Sequence, residues 1–103
     1  MTSPYVLTRA AEADLRDVIR YTRRRWGVAQ ARRYASELQR CVEALAAGEV
    51  GHRDMGDLHP GLRMRRCEHH YIFCLPRPDA PALIIAILHE RMNLMARVAA
   101  RLG

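Results

Sequence analysis

Leu83-Ile84-Ile85-Ala86-Ile87-Leu88 is a run of six apolar residues that passes without a break into His89-Glu90-Arg91. A run this short and this rich in β-branched residues suits a strand buried on both faces rather than a helix. Such a strand belongs at the centre of a sheet. The titratable triad that ends it emerges where the chain leaves the core.

The remaining segments supply what covers that strand. Tyr5-Val6-Leu7 is a short β-prone run, and Thr8 follows it as a helix N-cap. Ala11, Leu15, Val18, Ile19, Thr22 and Trp26 then fall on one face of a helix, with Arg16, Asp17, Arg20, Arg23 and Arg24 largely off it, until Gly27 breaks it. Ala31, Tyr34, Ala35, Leu38, Cys41, Val42 and Leu45 form a second stripe, closed by Gly48 at a natural C′ position. So short a connection predicts an antiparallel helix hairpin whose apolar faces pack on the sheet. Gly48 to Gly61, with four Gly, Pro60, two His and three acidic residues, reads as a loop.

Beyond the loop, Leu62 and Met64 point one way from a strand over Leu62–Cys67 while Arg63 and Arg65 point the other. Glu68-His69 reads as a turn, His70–Leu75 as the next strand, and Pro76-Arg77-Pro78-Asp79 as a turn before the strand Ala82–His89. Leu94, Met95, Val98 and Leu102 fall at helical spacing. The expected order is β-α-α-β-β-β-α: one α+β domain over residues 1–103, its helix hairpin packed on a mostly antiparallel sheet.

Half of the 103 residues are hydrophobic, so a chain of this length can bury a core without staples. All 17 basic residues are Arg, against 11 acidic ones, giving +6 at pH 7. Guanidinium forks suit carboxylate and phosphate, so the balance points to an acidic partner, either nucleic acid or an acidic protein segment. Cys41, Cys67 and Cys74 are odd in number and lack disulfide-framework spacing, which favours a reducing compartment, with Cys41 read as a small core residue. The N-terminal residues do not follow a basic segment with an apolar one, so no signal peptide is expected. No run is long enough to span a bilayer, and a cytoplasmic chain is expected. Cys67, His69, His70 and Cys74 lack metal-knuckle spacing and would alternate across strand faces, so neither metal nor cofactor is expected.

The order and several dispersed residues resemble the ParE branch of the RelE/ParE toxin superfamily of bacterial type II toxin–antitoxin modules. The matching positions are Leu7-Thr8 with Ala11, Asp14 and Leu15, then Tyr21 with Trp26-Gly27, then Ala31, Arg33 and Tyr34. Gly61-Leu62-Arg63, His70-Tyr71-Ile72-Phe73 and Ile87-Leu88-His89-Glu90-Arg91-Met92 complete them. Two positions depart from the pattern: Cys74-Leu75 stands where the family often has Tyr-Arg, and Asn93 where it often has Asp.

The resemblance implies a non-enzymatic toxin that poisons DNA gyrase by binding and engages nucleic acid only indirectly. It implies a cognate acidic antitoxin, ParD-like with a ribbon-helix-helix N-terminus, whose partly disordered C-terminal segment wraps the hairpin and sheet in a toxin–antitoxin hetero-oligomer. No membrane is involved. Arg63, Arg65, Tyr71, His89, Glu90, Arg91 and Arg97 are the residues expected to contact antitoxin or target. Arg23-Arg24-Arg25 with Arg32 and Arg33 form a basic band at the hairpin bend, read as a solvated tip or, more sharply, as an antitoxin or DNA-proximal contact.

A ribosome-dependent endoribonuclease of the RelE type is the alternative on the same fold, and an antitoxin-binding remnant without toxicity is a third. RNA cleavage needs a base, an acid and cations around the phosphorane, and Arg63, Arg65, His89 and Arg91 could supply an imidazole among cations. The absence of Lys, and of Tyr after Tyr71, argues against it. Structural roles are open for the same residues: His89 as a hydrogen-bonded corner, Arg63 paired with an acid of the 48–61 loop, Tyr71 and Phe73 as core.

Overall fold

The computed structural model describes residues 5–102. The first residues, on which the reading of a leaderless start rests, lie outside them. The order is β1 (Tyr5–Leu7), α1 (Arg9–Trp26), α2 (Val28–Ala47), β2 (Arg53–Asp54), β3 (Arg63–Cys67), β4 (His70–Arg77), β5 (Ala80–His89) and α3 (Leu94–Leu102). The helix signals act as expected. The Thr8 hydroxyl accepts from the Ala11 amide at 3.1 Å. Gly27 (φ 93°) ends α1 with a hydrogen bond to the Arg23 carbonyl, and Gly48 (φ 73°) ends α2 in the left-handed conformation that a side chain would resist.

The strands form one sheet in the order β1-β5-β4-β3-β2, with β1 parallel to β5 and the other pairs antiparallel. This is the mostly antiparallel α+β arrangement expected, with three differences. Two residues of the 48–61 loop pair with β3 as β2, a strand too short to leave a pattern. β4 runs on through Pro76 to Arg77 and β5 starts at Ala80, so the turn is narrower than the two prolines suggested. The ladder is irregular between Leu75 and Arg77, and proline, having no N–H to donate, is tolerated there. Finally, β5 lies between β1 and β4, one place from the middle of the order.

Both faces of the sheet are covered. Cys67, Ile72, Cys74, Ile84 and Ile87 pack with Ala11, Val18, Leu38, Val42 and Leu45 of the hairpin. Met64, Phe73, Ile85, Ala86 and Leu88 pack on the other side with Met55, Leu62 and Val98. A bulge shifts the alternation of β5: Phe73 pairs with Ala86 but Cys74 with Ile84, so Ile85 is the extra residue and faces the same side as Ala86. Trp26 departs from expectation. Periodicity placed it on the apolar face of α1, yet it is exposed at the helix end.

Among the described residues β1 covers only Ala82 to Ile84, and beyond Ile84 that β5 edge has no neighbouring strand. Side chains take the strand's place. Asp14 of α1 accepts from the Ile87 amide at 2.9 Å. Arg101 of α3 donates to the Ile85 carbonyl at 3.0 Å and grips the Asp14 carboxylate with both terminal nitrogens, at 2.5 and 2.8 Å.

Cys41 of α2 and Cys67 at the end of β3 form a disulfide, with Cα atoms 6.2 Å apart. This corrects the reading of Cys41 as an unbonded core residue and of the cysteines as lacking a bridge. Neighbourhood in space, not spacing in sequence, pairs them: the stripe that carries Cys41 faces the β3 end. Cys74 stays free and buried.

Two outcomes are expected. Asp14→Ala leaves the Ile87 amide without its acceptor and Arg101 without its carboxylate, and should cost about 3 kcal/mol in urea denaturation. Reduction of the oxidised chain should lower its stability by about 3 kcal/mol through freeing the loop between the cysteines, measurable as a shift in thermal midpoint with reductant.

Candidate functional site

The two histidines that end the apolar strands meet at one corner of the sheet. His70 opens β4 and His89 closes β5, and the two are register partners with ring centroids 5.3 Å apart, edge to face. Alternation puts both on the hairpin side, beneath α2. There the Tyr34 hydroxyl lies 2.5 Å from His70 Nδ1. Burial, then the neighbouring His89 and His69, push the His70 pKa down to about 4, so the ring is neutral at pH 7 and the hydroxyl donates to it. Burial likewise raises the Tyr34 pKa. A neutral imidazole held by an un-ionised phenol is a fixed strut between helix and sheet, not an acid–base pair poised near neutrality.

Glu90 anchors the outer side of the corner. Its amide donates to the His69 carbonyl at 3.0 Å, and its carboxylate meets Arg66 at 2.6 Å and His69 Nδ1 at 3.3 Å. Slight desolvation would raise this carboxyl, but the His69 hydrogen bond and the Arg66 charge outweigh it and hold the carboxyl below its usual range. The Arg66 guanidinium also lies 5.9 Å from the Tyr71 ring. His89 Nδ1 accepts from the Arg91 amide at 3.1 Å, turning the chain toward α3. Asn93 then caps α3, its side-chain oxygen accepting from the Ala96 amide at 3.3 Å. Asp and Asn both cap, so that departure from the family pattern keeps its structural task.

Of the residues predicted from sequence, Tyr71, His89, Glu90 and Arg91 therefore share this corner. Arg63 and Arg65 do not. They lie toward the other end of β3, opposite Cys74 and Ile72, where Arg65 donates to the Gly51 carbonyl at 2.6 Å and the Arg63 guanidinium lies close to Gly48 at the end of α2. No carboxylate of the 48–61 loop pairs with Arg63 among the described residues, which corrects that alternative. Arg97 sits exposed on α3. Tyr34, Arg66, His69 and His70 were missed as a set. Tyr34 reads as a member of an apolar stripe and as a family-matching position, and its hydroxyl was the unused clue.

A second feature lies where the hairpin overhangs the sheet edge: an apolar groove of about 360 Å³, lined among others by Leu7, Leu15, Ile19, Leu38, Val42 and Ile87. A smaller, polar depression of about 250 Å³ opens beside Tyr34, between Gln30, Arg33, Glu37 and Glu68.

Residues 5–94 match the family described as the ParE toxin of the type II toxin–antitoxin system parDE. The chain belongs to the ParE toxin family. It is 63% identical over 98 residues to a Toxin ParE of Escherichia coli, covering 95% of both chains. Toxin ParE1 of Caulobacter vibrioides is 41% identical over 99 residues, covering 92% of this chain and 97% of that one. The fold is shared with a solved structure titled "Chromosomal ParDE TA system from P. aeruginosa", with a TM-score of 0.68 at 21% identity, over 86% of this chain and 96% of that one. The superfamily read from dispersed residues is thus confirmed, and the helix hairpin and sheet are part of the shared fold.

The depressed His70 pKa has a consequence for stability. Between pH 6.5 and about 4 the unfolded chain binds a proton that the folded chain refuses. The contribution of His70 is therefore full above pH 6.5 and is lost as the pH falls through that window. In urea denaturation at about pH 7 and about pH 5, the wild type should lose more stability than His70→Gln. Equal losses would place the sensitivity elsewhere.

Proposed function

We infer that this ParE-family chain is a non-enzymatic, cytoplasmic toxin that acts as one domain, inhibits DNA gyrase by binding and is silenced by a cognate acidic antitoxin. The observation that carries this reading is the state of the corner. Its buried pair, Tyr34 and His70, is held un-ionised, and its carboxylate, Glu90, is ion-paired with Arg66. A nuclease on this fold would need a free base and acid flanked by cations, and Arg63 and Arg65 sit away from the histidines. What remains accessible is a binding surface, with Arg91, Met92, Met95 and Arg97 exposed beside the corner.

The antitoxin reading rests on complementarity. An acidic amphipathic tail that folds on binding can seat its apolar side chains in the groove at Leu7, Leu15 and Leu38 while its carboxylates meet arginines. Exposed charge pairs add little each, so the apolar anchors should dominate affinity. No helix among the described residues is long and apolar enough to cross a membrane. Of the contact residues expected from sequence, Arg91 and Arg97 have side chains without an ion-pair partner among the described residues, while His89 and Glu90 hold the turn that carries them.

Purified chain should inhibit gyrase supercoiling and leave transcripts intact in a translating extract read by primer extension. Codon-phased cuts would instead establish the endoribonuclease. Inactivity in both assays with tight antitoxin binding would establish a silent remnant. Arg91→Ala should weaken gyrase inhibition or antitoxin binding by about tenfold with an unchanged melting temperature, since its corner contact is made by the backbone amide.

A further inference from the structure

The arginines are not evenly distributed. Residues 18–36 hold Arg20, Arg23, Arg24, Arg25, Arg32 and Arg33 and no acidic residue. The other eleven arginines are matched by the eleven acidic residues, so this stretch carries the entire net charge of +6. It forms the tip of the hairpin: the end of α1, the Gly27 turn and the start of α2. All six arginines are exposed, and none has a carboxylate within ion-pairing distance among the described residues. Between them Tyr21 and Trp26 are each 65% exposed, with the Arg25 guanidinium 5.6 Å from the Trp26 ring.

We propose that this tip binds the phosphate backbone of duplex DNA directly and without sequence preference. Exposed arginines gain little from separate carboxylates, but a duplex releases a counterion for each phosphate neutralised, so dispersed forks suffice. Packed helices lie about 8–10 Å apart, so arginines on α1 and α2 straddle a span on the order of the roughly 12 Å major groove. A single strand fits less well. Tyr21 and Trp26 are five residues apart on α1 and point about 140° from each other, so they cannot stack successive bases. An acidic protein segment also fits less well: it needs a concave seat for apolar anchors, and that groove lies at Leu7, Leu15 and Leu38, whereas Tyr21, Trp26 and Val28 stand out from the tip as exposed side chains.

The test uses the full chain and naked DNA, without gyrase, so its failure would leave the gyrase reading untouched. Binding of a fluorescein-labelled duplex is followed by anisotropy across a salt series, for wild type and for the triple variant Arg24→Gln, Arg25→Gln, Arg32→Gln. These side chains are solvent-exposed, and an unchanged thermal melt confirms that the variant folds. The salt slope should flatten by about 2–3 and affinity at low salt should fall at least about tenfold. An unchanged slope in the triple variant overturns the proposal. So does tighter binding of the single strand, or polyglutamate bound as tightly as duplex and lost in the same variant.

Discussion

β5 is ten residues long and, among the described residues, the strand on its outer side is three. The arrangement of this chain turns on that mismatch. An apolar strand buried on both faces cannot leave its edge amides and carbonyls unpaired without either destabilising the fold or recruiting a foreign strand. Here the edge is closed by side chains from opposite ends of the sequence. Asp14 serves the Ile87 amide, Arg101 serves the Ile85 carbonyl, and their mutual ion pair locks the two in register. α1 and α3 are thereby fixed to β5 and to each other. Neither residue is a generic charge: an acceptor without Arg101, or a donor without Asp14, would leave one partner desolvated and unsatisfied.

The same strand ends in the His89 corner, where most of the polar groups bond one another. Tyr34 and His70 tie α2 to the sheet, Glu90 ties the strand end to the β3–β4 turn, and His89 receives the Arg91 amide. Each contact restricts the path from β5 to α3. The chain segment that follows is aimed by this corner, with Asn93 completing the turn as a cap. Side chains carried on a turn fixed in this way would lose less freedom if a partner bound them.

How much of this was readable follows from how each feature is encoded. The helices and the strands β3 to β5 are periodic or bounded by Gly and Pro, so sequence locates them within a few residues. The Ile85 bulge is silent because an unbroken apolar run has no alternation to interrupt. The Cys41–Cys67 bridge and the Tyr34–His70 contact join residues 26 and 36 positions apart, and only the packing of α2 on the sheet brings them together. Trp26 misleads for a related reason: it keeps the helical period but lies where α1 has run past anything to cover it. Of the corner, His89, Glu90 and Arg91 were visible as a cluster. Their partners Arg66 and His69 sit on the neighbouring hairpin and read as part of a strand and its turn.

Charge gives the hairpin a polarity that its length makes usable. With the remainder of the chain balanced, the field is strongest at the tip, and a polyanion would be drawn there in a defined orientation rather than to the molecule as a whole. The apolar groove uses a different part of the same hairpin, mid-helix at Leu15, Leu38 and Val42, whereas the arginines cluster around Gly27. One partner that needs apolar anchors and another that needs phosphates to neutralise are thus not competing for the same side chains. Filling the groove places no demand on Arg24, Arg25 or Arg32, so a chain whose groove is occupied still presents its cationic end.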